Sequence, residues 1–286
     1  MSVARIQFTK MQGAGNDFII VNALNPDLDT GDLVGLSRVM CDRNFGVGAD
    51  GLILVVPGKD APLMMRMLNP DGSEAEMCGN GIRCFAKYVS DEGLASGTRV
   101  LVDTLAGVKT VEITADNGRS SRVIVDMGSP VFDRDLIPMS GPKSSDRVVG
   151  EPVDVDGLVY KATCLSMGNP HCVIFVDDVQ AFPVRDVGPK IEHLSLFPQR
   201  TNVPFVQVVN RTEILLRVWE RGAGETLACG TGACAAAIAS MVNGFVDRKI
   251  LVHLPGGDLE IEWTAGNTVL MDGPAENVFT GVYQAE

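Results

Sequence analysis

The sequence predicts an α+β protein made of two similar halves, and three observations carry that expectation. Alternating or continuously apolar β-rich runs dominate the chain, and the few helical patterns do not follow the strands in regular turn, which disfavours a doubly wound parallel sheet. Sliding the chain by 151 residues, Cys78 onto Cys229, lays "MRMLNPDGSEAEMCGNGIRCFA" over "LRVWERGAGETLACGTGACAAA". The 286 residues, 45% of them hydrophobic, suffice for two cores rather than one.

Taken in order, the first half opens with the strand runs "RIQFTKM" and "DFIIVNA" and continues with a helix from Asp32 to Cys41. "GLILVV", "VKTVEIT" and "RVIVDM" are further strands, and a helix from about Gly79 to Glu92 is stopped by Gly93, a residue suited to the left-handed position after a helix. Between Gly128 and Arg147, "GSPVFDRDLIPMSGPKSSDR" has the Gly, Pro, Ser and charge content of a domain connection. The second half brings "LVYKAT", "CVIFV", "FVQVV", "ILLRVW", "ILVHL" and "LEIEW" as strands and a helix from Thr231 to Asn243, stopped by Gly244. The final run follows a Gly-Pro break and is read as a strand returned to the first half. The expected domains are therefore 1–130 with 274–286, carrying Cys78, and 131–273, carrying Cys229.

Composition narrows the partners. Twenty-four basic against 36 acidic side chains leave a net charge of −12, which repels nucleic acid and anionic membrane surfaces. Near Met1 there is no charged start followed by an apolar run and a cleavage site, and no stretch approaches the roughly 18 apolar residues of a membrane helix. The expectation is a soluble cytoplasmic protein. The seven cysteines form no dense disulfide framework and no Cys-x-x-Cys pair, and His171, His193 and His253 are scattered, so reduced thiols and no metal are expected. None of the lysines stands in a context that suggests pyridoxal phosphate.

The internal repeat is the most informative feature. Arg66 meets Arg217, Glu74 meets Glu225, Cys78 meets Cys229, Gly79 meets Gly230, Gly81 meets Gly232 and Ala86 meets Ala237. An offset of 153 pairs Gly15 and Asn16 with Gly168 and Asn169. Taken alone, a cysteine is more often a small buried hydrophobe than a catalyst. Here each precedes Gly-x-Gly at an expected helix start, where unpaired N–H groups and the positive dipole end favour an anion and can lower a thiol from about 8.5. The same N–H groups can cradle a substrate carboxylate. A Cys–His nucleophile needs only one thiol. Inverting a carbon centre needs one group to take a proton from one face and another to deliver a proton to the opposite face, which is what a duplicated thiol supplies. A thiol/disulfide redox module and a noncatalytic amino-acid binder remain as the other classes.

"GAGNDF", "RNFGVGADG", "NPDGSEAEMCGNGIRC", "MGNPHCV", "TNVPF" and "ERGAGETLACGTGACA" together resemble the diaminopimelate epimerase family, in order and over nearly the whole chain. The resemblance implies cofactor-independent interconversion of LL- and meso-2,6-diaminopimelate on the lysine and cell-wall route. It implies two pseudo-symmetric domains, each a mostly antiparallel β-barrel-like sheet around a central helix, and assembly as a homodimer. Carried onto this chain, Cys78 and Cys229 are the acid/base pair. Gly79, Asn80, Gly230 and Thr231 bind the reacting carboxylate, and Asn16, Asn69, Asn169, Asn202, Glu220 and Arg221 contact the substrate. His171 and Glu220 help the thiols change protonation state. Two departures stand out, since some relatives carry glutamine where Gly51 stands and serine where Thr231 stands. Proline racemase and related enzymes share the duplicated, paired-thiol design, so a racemase or epimerase of another amino acid is the alternative within enzymes.

Overall fold

The computed structural model describes residues 4–25, 32–118, 120–141 and 147–285. By its internal packing the chain divides into two compact units, Met1–Asp126 with Asp272–Glu286, and Met127–Met271. Each sets one nine-residue and one 13-residue helix among its strands.

In the first unit, β1 (Ala4–Gly13) and β2 (Asn16–Asn22) form a hairpin, followed by α1 (Leu33–Cys41), β3 (Gly51–Pro57), β4 (Leu63–Leu68), the two-residue β5 (Glu74–Ala75), α2 (Gly79–Asp91), β6 (Arg99–Asp103), β7 (Lys109–Asp116) and β8 (Ser120–Asp126). Ladders run β1–β2, β3–β4, β6–β7 and β7–β8 antiparallel and β2–β3 and β4–β6 parallel. The last strand of the chain, β17 (Val269–Ala285), pairs with both β1 and β8 and closes eight strands into a barrel. The apolar runs of β2 and β3 are buried because the barrel wraps the central helix α2, which packs on β1, β2, β3, β4, β7 and β8. Even Arg83 and Lys87 on α2 are buried, Arg83 donating to the Pro274 and Gly79 carbonyls and Lys87 to Asp91 and the Gly118 carbonyl.

The second unit runs β9 (Val148–Val155), β10 (Leu158–Ser166), β11 (Pro170–Phe175), α3 (Val184–Glu192), β12 (Val203–Asn210), β13 (Glu213–Glu220), β14 (Gly224–Thr226), α4 (Gly230–Val242), β15 (Lys249–Leu254) and β16 (Gly257–Trp263). Its ladders are again antiparallel except β11–β12 and β13–β15. Its central helix α4 is small and apolar, as "GACAAAIAS" suggests, and packs closely on β10 to β13, β15 and β16. The repeat is thus structural as well as sequential: α2 and α4 each span 13 residues, α1 and α3 each nine, and both pairs start 151 positions apart (79 and 230, 33 and 184).

Three local features differ from what the sequence patterns suggest. Helix α3 was not expected, because Gly188 and Pro189 interrupt it and a proline forfeits one helical hydrogen bond. Packing overrides that penalty: Val184, Val187 and Ile191 enter the core, and Gly188 lies so near Trp219 that a Cβ there would stand 2.6 Å from the indole Cγ. The Gly273-Pro274 pair does not break the chain but lies within β17. The stretch read as a connection is only partly one, since Ile137 and Met139 belong to the second unit's core and Arg134 is buried against Glu151 and the Ser140 carbonyl. Residues 142–146 of that stretch lie outside the described residues.

Candidate active site

In the first unit the elements converge on Cys78, the residue that caps α2. Its extended backbone ends the arm of β5, and its sulfur accepts the Gly81 N–H at 3.4 Å. A helix start leaves its first N–H groups without partners inside the helix, and glycines at 79 and 81 keep side chains away from them. Asn16 arrives from the β1–β2 hairpin, whose turn residues Ala14 and Gly15 both take positive φ (54° and 79°), the geometry that matches the twist of paired strands. Asn16 Oδ1 lies 3.9 Å from the Cys78 sulfur and 3.1 Å from Asn80 Nδ2. Asn16, Cys78, Gly79 and Asn80 therefore form one cluster. Asn69 is not bonded into it: its side-chain amide donates to Ser73 Oγ at 2.9 Å in its own turn.

Cys229 holds the equivalent place at the start of α4 in the second unit, but in different surroundings. Only 5% exposed, it stands 3.7 Å from Thr231 Oγ1. Burial pushes the thiol well above its ordinary value, and the Glu220 carboxylate beside it pushes in the same direction. The sequence-based expectation of a lowered thiol is reversed here, because desolvation and a neighbouring anion outweigh the helix dipole. Glu220 in turn accepts the Thr226 hydroxyl at 2.5 Å.

Four further site candidates of this unit form two hydrogen-bonded pairs, Asn202 with Arg221 and Asn169 with His171. Asn202 donates to the Pro170 carbonyl at 3.0 Å and accepts the Arg221 backbone N–H at 2.9 Å, so it ties the 220–222 turn to β11. Asn169 Oδ1 lies 2.9 Å from His171 Nε2. His171 is fully buried, its Nδ1 meets no hydrogen-bond partner among the described residues, and burial, followed by the charge of Arg221, drives the imidazole down to about 3. It is neutral at physiological pH. Arg221 extends its guanidinium to the Gln199 carbonyl at 3.0 Å.

Several supporting residues carry no signal in sequence spacing. Asp50 accepts Asn16 Nδ2 at 2.6 Å, and Asp17, next to Asn16, is gripped by Lys10 and Arg43 at 2.6 and 2.7 Å. Burial raises the Asp17 carboxyl, but bonds from Arg43 and Lys10 win and hold it at about 2. Buried Glu192, at the end of α3, accepts the Trp219 indole N–H at 2.7 Å and the Gly222 N–H at 3.1 Å, bracketing Glu220 and Arg221. The one available clue to it was the repeat itself, which maps α3 onto the recognisable α1. At Gly51 a Cβ would meet Met67 Cε at 3.0 Å and the Leu68 carbonyl at 3.1 Å, so the methionine methyl fills the space a side chain would need. Among the described residues no group of three or more His, Cys, Asp or Glu side chains could hold a metal, and no helix is long and apolar enough to cross a membrane.

Comparison with known proteins identifies the family. The family model for diaminopimelate epimerase matches residues 8–132 and 163–278. The diaminopimelate epimerase of Moorella thermoacetica is 57% identical over 277 residues, covering 96% of this chain and 98% of that one. That of Pelotomaculum thermopropionicum is 55% identical over 278 residues, covering 97% and 99%. Among solved structures, a PhzF-family phenazine biosynthesis protein of Bacillus anthracis superposes with a TM-score of 0.68 at 17% identity over 99% of both chains. A hydroxyproline epimerase from Agrobacterium vitis gives 0.68 at 13% identity over 99% of this chain and 92% of that one. At such identities the structural likeness is one of fold.

Proposed function

The chain belongs to the diaminopimelate epimerase family and is an amino-acid epimerase, an isomerase, and on that premise we propose that Cys78 and Cys229 exchange the α-proton of diaminopimelate without a cofactor. The observation that carries the mechanism is the placing of one cysteine at the N-terminus of each unit's central helix, at equivalent positions of a duplicated fold.

One sulfur takes the α-proton from one face as the other delivers a proton to the opposite face, and the roles exchange in the reverse reaction. Burial and the Glu220 carboxylate keep the proton on Cys229 at neutral pH, which suits it to be the donor in one direction, with Cys78 the acceptor. Proton transfer by a positioned side chain supplies about 10²–10⁴-fold. The remainder comes from stabilising the carbanion: N–H groups of Gly79, Asn80, Gly230 and Thr231 at the two helix starts receive the reacting carboxylate as charge develops on it. Neutral His171 orients Asn169, Asn16 stands beside the reacting Cys78 sulfur, and Asn69, Asn202, Glu220 and Arg221 serve the distal amino-acid head, the guanidinium facing its carboxylate and Glu220 its ammonium. The enzyme works in the cytoplasm as a homodimer on the route to lysine.

The test is incubation of LL-diaminopimelate with pure protein in heavy water. The expected product is meso-diaminopimelate carrying one deuterium at the inverted centre. Binding without deuterium uptake would leave a binder rather than an epimerase.

A further inference from the structure

We infer that Asp50 is a positioning residue that sets which end of the Asn16 amide faces the Cys78 sulfur. The inference rests on the reading of Cys78 as a reacting thiol. A primary amide is nearly symmetric in shape, and rotation by 180° exchanges an acceptor for two donors. What breaks the symmetry is an acceptor-only partner. Asp50 Oδ2 takes Asn16 Nδ2 at 2.6 Å, so Oδ1 is turned the other way, to 3.1 Å from Asn80 Nδ2 and 3.9 Å from the Cys78 sulfur. The thiol then faces an acceptor, toward which an S–H can point.

Asp50 can impose this because it is itself held. The Asp17 backbone N–H donates to Oδ2 at 3.1 Å, and Arg43 donates to Oδ1 at 2.7 Å as it forks onto Asp17. Lys10 completes the group by pairing with Asp17 and donating to the Gly48 carbonyl. Charge thus reaches the sulfur's neighbourhood from β1 (Lys10), β2 (Asp17) and the loop before β3 (Arg43 and Asp50). On α2 and β17, Arg83 and Glu276 act on the neighbouring Cys84, whose own thiol is pushed up to about 12 by burial and stays uncharged. Among the described residues, Asp50 is the one that bonds the Asn16 side chain on its amino end.

The experiment measures the pH dependence of Cys78 alkylation by iodoacetamide, read at the Cys78 peptide by mass spectrometry, together with kcat. In Asp50→Asn the amide at 16 is no longer forced, and Nδ2 can turn to the sulfur. A donor favours the thiolate where an acceptor favoured the thiol, so the alkylation midpoint should fall by about one pH unit. The kcat should drop about ten-fold in the direction in which Cys78 delivers the proton. In the double variant Asn16→Asp, Asp50→Asn, a carboxylate at 16 presents oxygen whichever way it turns, and the midpoint should return to the wild-type value or above. A folded Asp50→Asn protein with an unchanged midpoint overturns the inference. Should that variant not fold, asparagine-selective 15N labelling of the wild type decides: one Asn16 Nδ2 proton should be slow to exchange, and fast exchange of both is equally fatal. If Cys78→Ser keeps full activity, the thiol-pair reading falls, yet the alkylation midpoint still judges Asp50.

Discussion

Arg66 grips Glu74 through two parallel bonds, Nε to Oε1 at 2.7 Å and NH2 to Oε2 at 2.9 Å, and 151 residues on Arg217 grips Glu225 at 2.7 and 2.6 Å. Each pair fastens the short arm that leads into a thiol to the strand beside it. The two are not energetically alike. Arg217 is largely buried and also donates to the Val179 and Phe182 carbonyls, and Arg185 joins it on Glu225, whereas Arg66 is a third exposed. Glu225→Ala, which strands a buried guanidinium, should cost about 2 kcal/mol in urea unfolding. Glu74→Ala should cost about 1 kcal/mol or less. Equal losses would show that the arms are held by something other than these pairs.

Cys78→Ser and Cys229→Ser should each lower kcat by at least about 10²-fold while circular dichroism and melting stay near wild type. A serine hydroxyl keeps the size and polarity of the site but does not ionise near neutral pH. Single-turnover assays in heavy water sharpen the test, since a protein that still exchanges the α-proton without inverting it has lost one thiol of the pair and kept the other.

The buried imidazole of His171 makes acid stability measurable at one residue. Unfolded, it binds a proton below about 6.5, whereas folded it does so only below about 3. Between those values the unfolded chain holds the extra proton, so stability falls as pH falls, with a slope of up to about 1.4 kcal/mol per pH unit from this group. His171→Gln should flatten the loss of stability between pH 6.5 and 4.5 in denaturant titrations. An unchanged slope would mean that the ring is already protonated in the fold.

Gly188→Ala should destabilise the second unit by about 1–3 kcal/mol, because the added methyl would enter the Trp219 indole. The displaced indole would loosen its bond to Glu192, which also holds the Gly222 N–H, so substrate affinity should suffer along with melting temperature. A variant with normal KM and lowered Tm would separate α3 from the site.

The repeated Cys-Gly-x-Gly motifs, the strand-rich pattern and the glycine stops of α2 and α4 were legible in the sequence, because apolar periodicity and helix-end chemistry are local properties of a few consecutive residues. The bracing of the site was not. Asp50 meets Asn16 across 34 positions, Glu192 reaches Gly222 across 30, and helix α3 forms despite Pro189 because an indole from another element packs against Gly188. Tertiary structure likewise decided that Cys229 keeps its proton: a helix start alone argues for the opposite, but removal from water beside a carboxylate depends on what packs around the sulfur, which no spacing of residues encodes.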